Sequence, residues 1–379
     1  MLQYQIPFNR VSAQGKEAEY VAQAVASGYI AGDGPFTARC HDLLQRRFGV
    51  PRVLLTTSCT HALELAALLL DVSPGDEVIV PSFTFSSTAN AFVLRGARIV
   101  FADIRPDTLN IDERSLEHLI TPRTRVIAPV HYAGVACAMG EIMTVARRHN
   151  LHVVEDNAQG LFGAYKDKPL GTFGTFAAHS FHETKNVTCG EGGALFINDP
   201  SFVERAEVLR EKGTNRSKFF RGQIDKYTWV DLGSSYLPSE LVAAFLFGQL
   251  EAADLIQAKR RRIWEAYSTG LSEWAAENGV RLPVVPAECA QSFHMFYLVL
   301  PSLEARQAVI THLKEASILS VFHYLPLHLS QMGQRFNAHP GDFPVAEDVS
   351  DRLVRLPFFN DLHTDEQCRV IDRLRQFRW

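Results

Sequence analysis

Between residues 53 and 156, short apolar segments alternate with segments of helical spacing, and this alternation limits the folds open to the chain. Residues 53–56, 77–81, 98–103, 125–130 and 151–154 read as short buried strands. Residues 61–71, 88–95, 113–120 and 140–149 between them read as helices. Such alternation gives a mostly parallel sheet with helices on both faces. Right-handed crossovers bring the carboxyl ends of the strands to one edge, where ligands bind. The chemistry is therefore expected on the loops that follow strands.

The chain has 379 residues, 46% hydrophobic and 21% charged, enough for a large core and a second, smaller unit. Residues 1–50 read as an arm with helices at 17–27 and 37–48 around a turn-rich stretch at 28–36. Residues 239–271 lack proline and keep helical spacing, and are expected to bridge the two units. The basic run at 259–262 is expected on its solvated face. Strands at 293–300 and 318–324 and helices at 303–316 and 364–377 complete a small α+β unit. The division is expected as 1–250 and 251–379. The formal net charge of −4 gives no basic excess toward nucleic acid or an anionic membrane. The six cysteines are scattered without a CxxC pair and read as reduced thiols. The start of the chain lacks a basic-then-apolar signal pattern. No apolar run approaches the roughly 20 residues of a membrane helix. A cytoplasmic protein is expected. The spacing of His323 and His328 does not suit a helical metal pair, and no metal is expected.

Two stretches carry the chemistry. In HSFHETKNVTCGEGGALFI (179–197), Lys185 sits in a turn between an apolar run at 177–181 and Gly190, Gly192 and Gly193. A lysine held and partly desolvated loses its proton readily and forms a Schiff base with an aldehyde. In LHVVEDNAQG (151–160), Asp156 closes a buried strand. A lysine facing a strand-end carboxylate suits pyridoxal 5′-phosphate (PLP), which needs a lysine for its aldehyde and an acid for its pyridinium nitrogen. Alone, the two residues read as a surface lysine and a turn aspartate. Ser58, Cys59 and Thr60 lie between a strand and a helix. They form either an anion site at the helix N-terminus or plain capping by Thr60. In PSFTFSSTANA (81–91), Phe83 and Phe85 are open to either ring stacking or core packing. In 211–245, Arg216, Lys218, Arg221 and Lys226 cluster with Phe219, Phe220, Tyr227 and Trp229. Such cations suit a diphosphate and such aromatics a base or sugar face, unless the stretch is a solvated loop.

The order VVEDNAQ, SFHETKN, GEGG resembles the DegT/DnrJ family of PLP-dependent nucleotide-sugar aminotransferases, from IPFNR at residue 6 to LPFFNDL at residue 356. The resemblance implies a fold-type-I aminotransferase of the α/β class. Its large domain holds a mostly parallel seven-stranded sheet between helices, and a smaller α+β domain follows. It implies a homodimer with shared active sites, in which PLP cycles with pyridoxamine 5′-phosphate. Lys185 would hold the cofactor and carry protons, and Asp156 would pair with the ring nitrogen. Gln159 would touch the 3-oxygen side, and Phe85 would stack on the ring. Ser180 and the Ser58, Cys59 and Thr60 turn would hold the phosphate. His323 and His328 of FHYLPLH would line the sugar pocket, and Arg216, Lys218, Arg221 and Tyr227 would meet the substrate. Four positions depart from the family pattern: Cys59 where glycine is common, Asn157 for alanine, Ser235 for an asparagine that reaches the partner's PLP phosphate, and Leu237 for the usual arginine. The phrases GTNRSxFFRG, GSSYL, HETKN and HYAGVAC resemble the branch acting on dTDP-4-keto-6-deoxy-D-glucose. They imply L-glutamate as donor and dTDP-4-amino-4,6-dideoxy-D-galactose as product, as in enterobacterial common antigen and O-antigen sugar synthesis. The D-gluco epimer fits the same pattern. Intact Lys185 and Asp156 argue against a non-catalytic PLP or nucleotide-sugar sensor.

Overall fold

The computed structural model describes residues 4–378. Seven strands form the central sheet in the order Arg52–Thr56, Gly193–Ile197, Phe176–Ser180, His152–Asp156, Thr124–Ile127, Glu77–Pro81, Arg98–Ala102. The pairings from Phe176–Ser180 to Arg98–Ala102 are parallel, and both pairings of Gly193–Ile197 are antiparallel. Every residue of Glu77–Pro81, Phe176–Ser180 and Gly193–Ile197 is buried, as expected for strands covered by helices on both faces. The expected α/β class and mostly parallel seven-stranded sheet are therefore found.

The register sets the site. Thr56 and Ser180 both face Gly193, so the ends of two strands and the start of a third share one row, with Asp156 beside Ala178 on the next strand. A Cβ on Gly193 would stand 2.4 Å from the Ser58 carbonyl carbon and 2.5 Å from the Cys59 amide nitrogen. Only glycine lets this strand pass so close beneath the turn that starts helix Cys59–Leu69.

That helix starts two residues earlier than the apolar spacing suggests, because Ser58, not Thr60, caps it: Ser58 Oγ accepts a bond from the His61 amide (3.1 Å). The helix expected at 88–95 is Ser86–Val93. Residues 113–120 hold only a 3₁₀ turn, Glu113–Ser115, and a single helical turn, Leu116–Leu119.

The stretch 239–271 is two helices, Glu240–Glu251 and Ala253–Glu277, bent by 63°. The first packs Ala243, Ala244, Phe247 and Leu250 into the core of the large sheet, and the second packs Ile263, Tyr267 and Leu271 into a separate core. One straight helix could not serve both. The basic run is also not wholly solvated. Arg260 falls on the same face as Ile256, Ile263 and Tyr267, at helical spacing, and is buried. It donates to the carbonyls of Phe293 and His294 and to Asn360 Oδ1. The second core closes around a three-stranded antiparallel sheet, Tyr297–Val299, Leu353–Arg355, Val321–Phe322. The two expected strands are shorter than their apolar runs, and Leu353–Arg355, unanticipated, is the central one. Among the described residues no single helix is long and apolar enough to cross a membrane.

Gly193→Ala is expected to lower the denaturant midpoint by the equivalent of about 1–3 kcal/mol, the usual range for overpacking a tight contact. An unchanged midpoint in urea unfolding would contradict the close approach.

Candidate active site

A cavity of about 680 Å³ opens at the carboxyl edge of the large sheet and is closed on its far side by the small domain. Asp156 forms its floor and is 5% exposed. Its position is fixed by two donors: Thr88 Oγ1 to Oδ2 at 2.7 Å, and the Ala158 amide to Oδ1 at 3.1 Å. Thr88 lies 2.9 Å from Thr84 Oγ1 in turn, which orients its hydroxyl.

Lys185 lines the same cavity. Its amide donates to the His182 carbonyl (2.9 Å), closing the turn. The next residue bolts that turn to the small domain. Asn186 Nδ2 donates to the Ser292 carbonyl (2.7 Å), Asn186 Oδ1 lies 2.9 Å from His294 Nδ1, and Asn360 Nδ2 donates to the Asn186 carbonyl. Asn186 is thus a hydrogen-bonded turn residue, and it is what holds the lysine's turn in place. Burial pushes the Lys185 ammonium below the ordinary lysine value; Cys59 and Asp156 oppose this, and the Arg355 cation adds to it.

Phe85 and Phe83 divide the two roles left open by the sequence. Phe83 is 1% exposed and packs in the core, whereas Phe85 is 58% exposed with its ring on the cavity. Gln159 is oriented by the Ala133 amide donating to Oε1 (2.7 Å), and its Nε2 reaches Tyr324 Oη at 3.4 Å. Ser58, Cys59, Thr60 and Ser180 line the same cavity at the start of helix Cys59–Leu69. The first amides of a helix have no intrahelical partner and point at any anion placed there. His323 also lines the cavity, with Nδ1 2.7 Å from Tyr132 Oη. Burial, then the Arg355 and Lys185 cations, hold it well below the usual histidine range, so it stands neutral.

Other expected residues lie elsewhere. His328 is fully buried on the turn Leu327–Leu329, with Nδ1 beside Ser82 Oγ and Nε2 3.0 Å from Glu347, and it does not line the cavity. The turn is tied under the sheet by the Leu327 amide donating to the Ser82 carbonyl, which corrects the substrate role expected for His328. His131 is structural, enclosed 3.0 Å from Glu155. Arg216, Lys218 and Arg221 pair with Glu211, Glu204 and Glu207, at 3.0, 2.6 and 2.7 Å. Arg216 and Arg221 face a second cavity of about 470 Å³ beside Asp33 and Arg210. Tyr227 packs edge-on against Phe219, and Ser235 bridges Glu211. Within one chain none of these five reaches Lys185. Conversely, Tyr324, His294 and Arg355 line the cavity, Thr88 holds Asp156 from behind it, and none of the four was singled out from the sequence. A cation inside the apolar run LVRLPFF was the available signal for Arg355.

These groups fit PLP: a lysine that burial keeps easily deprotonated, a fixed carboxylate, an open aromatic face and a helix start for a phosphate. Together with the sheet they define a PLP-dependent enzyme of the α/β class. The chain belongs to the DegT/DnrJ/EryC1/StrS aminotransferase family, which it matches over residues 12–375. It is 34% identical over 366 residues to GDP-perosamine synthase of Caulobacter vibrioides, covering 96% of this chain and 95% of that one. Its fold is similar to that of S. venezuelae DesV, solved in complex with a ketimine intermediate, with a TM-score of 0.89, 31% identity and 98% of each chain covered. The Streptococcus pneumoniae protein Spr1654 in its PMP form gives a TM-score of 0.90 at 27% identity, again with 98% of each chain covered. The protein is a PLP-dependent sugar aminotransferase, taking a sugar substrate and an amino donor.

The neutral amine is the nucleophile. PLP uptake by apoprotein, followed at the imine absorbance, should therefore speed up with rising pH and level off below about 10.4, the free lysine value. Asp156→Asn removes a charge that favours the ammonium and should move the midpoint to lower pH. A midpoint at or above the free lysine value would contradict the burial of Lys185.

Proposed function

We propose that the enzyme transfers the amino group of L-glutamate to C4 of dTDP-4-keto-6-deoxy-D-glucose, giving dTDP-4-amino-4,6-dideoxy-D-galactose. The observation that carries the chemistry is the single cavity lined by both Lys185 and Asp156. The phrases GTNRSxFFRG, GSSYL, HETKN and HYAGVAC support the choice of sugar. The name of the Caulobacter relative supports a GDP-linked sugar as the second reading. We take the enzyme to act in the cytoplasm as a homodimer, with residues 1–250 as the cofactor domain and 251–379 as the small domain. In that dimer Ser235 and the 216–227 segment would serve the partner's site, which accounts for their distance from Lys185 within one chain.

PLP, when bound, supplies an aldehyde for the amine and an electron-withdrawing ring. Lys185 Nζ would hold the aldehyde carbon and, as a free amine, would carry a proton to and from the substrate carbon. Asp156, locked by Thr88 and Ala158, keeps the ring nitrogen protonated. The amides and hydroxyls at Ser58, Cys59, Thr60 and Ser180 would hold the phosphate, and Phe85 would stack on the ring. Gln159, pinned by Ala133, orients the 3-oxygen side. Neutral His323, oriented by Tyr132 Oη, would offer a hydrogen bond to a sugar hydroxyl without adding charge.

Lys185→Ala should fold and give no turnover, and Asp156→Asn should bind PLP with turnover reduced on the order of 10²–10³-fold. Near-normal steady-state rates in either would remove that residue from its role. The product is read by proton NMR after incubation with L-glutamate and dTDP-4-keto-6-deoxy-D-glucose. A small coupling between the C3 and C4 protons means an axial amine and the galacto product, whereas a large one means the gluco epimer. Amination of a GDP-linked keto sugar in preference to the dTDP compound would overturn the choice of nucleotide.

A further inference from the structure

Residues 84–88 reach three parts of the cofactor site within a few residues of chain. Phe85 exposes its ring to the cavity, and helix Ser86–Val93 begins at the next residue. Ser87 Oγ lies 2.8 Å from Thr60 Oγ1, in the turn where a phosphate fits, and both residues line the cavity. Thr88 Oγ1 donates to Asp156 Oδ2 at 2.7 Å, and Thr84 Oγ1 stands 2.9 Å from Thr88 Oγ1. Successive residues of a helix point about 100° apart. Ser87 and Thr88 therefore meet different neighbours, the start of helix Cys59–Leu69 and the end of strand His152–Asp156. The direction of the second set of bonds is forced. An ionised carboxylate only accepts, and a hydroxyl has one proton to give. Thr88 gives its proton to Asp156, so Thr84 must donate to Thr88. A threonine in a helix often turns its hydroxyl back to the carbonyl one turn earlier, and Thr88 has given that bond up. Thr88 is 0% and Thr84 2% exposed, so bulk water does not stand in for either bond. Hydrogen bonds donated to a carboxylate favour its charged form, which leaves a proton shared with the ring on the nitrogen.

We propose that Thr88, backed by Thr84, and Ser87 are positioning residues that set the ring end and the phosphate end of the cofactor separately. The inference rests on PLP as the cofactor and not on the choice of sugar. Thr88 acts through Asp156, whose carboxyl plane and charge it holds for the ring nitrogen. Ser87 acts through Thr60, whose hydroxyl it turns for the phosphate. One helical turn thus fixes the distance between the two polar ends of the site, with Phe85 between them on the cavity wall. The two tasks differ in strength. A bond to a charged group contributes more than one between two hydroxyls, so the ring end is expected to respond more to loss of its hydroxyl.

The test titrates full-length apoenzyme by calorimetry with PLP and with pyridoxal, which lacks the phosphate. Thr88→Val should weaken both ligands alike by about 10–100-fold, the scale of a lost hydrogen bond to a charged group. Ser87→Ala should weaken PLP by about 3–10-fold, the scale of a neutral bond, and leave pyridoxal as in wild type. Thr88→Ser, which keeps the hydroxyl, should recover most of the affinity. In enzyme loaded with PLP carrying ¹⁵N in the ring, the nitrogen signal should move toward that of unprotonated pyridine in Thr88→Val, return in Thr88→Ser and stay in place in Ser87→Ala. A nitrogen signal unmoved in Thr88→Val, or a Ser87→Ala loss equal for PLP and pyridoxal, would overturn the proposal. Should Thr88→Val fail to fold, Thr84→Val decides in its place: a nitrogen signal displaced the same way sustains the proposal, and an unmoved one overturns it. If wild-type apoenzyme takes up no PLP, the cofactor reading falls together with the proposal. Uptake by wild type with wild-type affinities in both variants removes the proposal alone.

Discussion

The site depends on a carboxylate fixed at the end of a buried strand. Asp156 can be held there because the parallel sheet ends beneath it and a helix on an earlier crossover, Ser86–Val93, presents Thr88 to one oxygen while the turn after the strand presents the Ala158 amide to the other. Two hydrogen bonds fix the carboxyl plane and offset part of the cost of burial. A fixed acid in a low-dielectric cavity imposes a matching cation on whatever binds, and a pyridinium nitrogen is such a cation. Beside it, Glu155 faces the opposite side of the strand and accepts from the amides of Gly171, Phe173 and Gly174 while touching His131. One strand end thus carries two buried acids with separate duties. Asp156 serves the cavity, and Glu155 fixes the loop behind it.

Lys185 is placed by a different device. Its turn leaves the large sheet after Ser180, and Asn186 ties it to Ser292, His294 and Asn360 on the small-domain side. The reactive lysine therefore sits at the junction of two cores rather than in one. Any shift of the small domain moves its surroundings, including Arg355 and His323, which reach the cavity from the small sheet and its flank. The bend at Ala252 lets adjoining helices seat in separate cores, so the two units can be packed independently while sharing a site.

Much of this was legible in the sequence, and the reasons for the gaps are physical. The parallel sheet follows from continuous apolar strands alternating with helices, and the lysine and acid follow from their places after strands. Period alone could not place the start of helix Cys59–Leu69, because Ser58 and Thr60 are both good caps and tertiary contact with Gly193 decides between them. Nor could it show that Arg260 points inward, since a basic run on a helix is normally solvated, and only its three carbonyl-type acceptors make the burial tolerable. His328 follows a strand and looks like a pocket residue, but the 3₁₀ turn rotates it under the sheet. Arg355 lies in the otherwise apolar run LVRLPFF, and its place on the cavity wall is a property of the folded surroundings and not of the sequence.

The most direct test of the account is borohydride reduction of the PLP-loaded enzyme, followed by peptide mass mapping. The account predicts one stable pyridoxyl adduct, on Lys185, and no stoichiometric adduct elsewhere. A principal adduct on any other lysine, or none at all, would contradict the placement of the active site at the edge of the sheet.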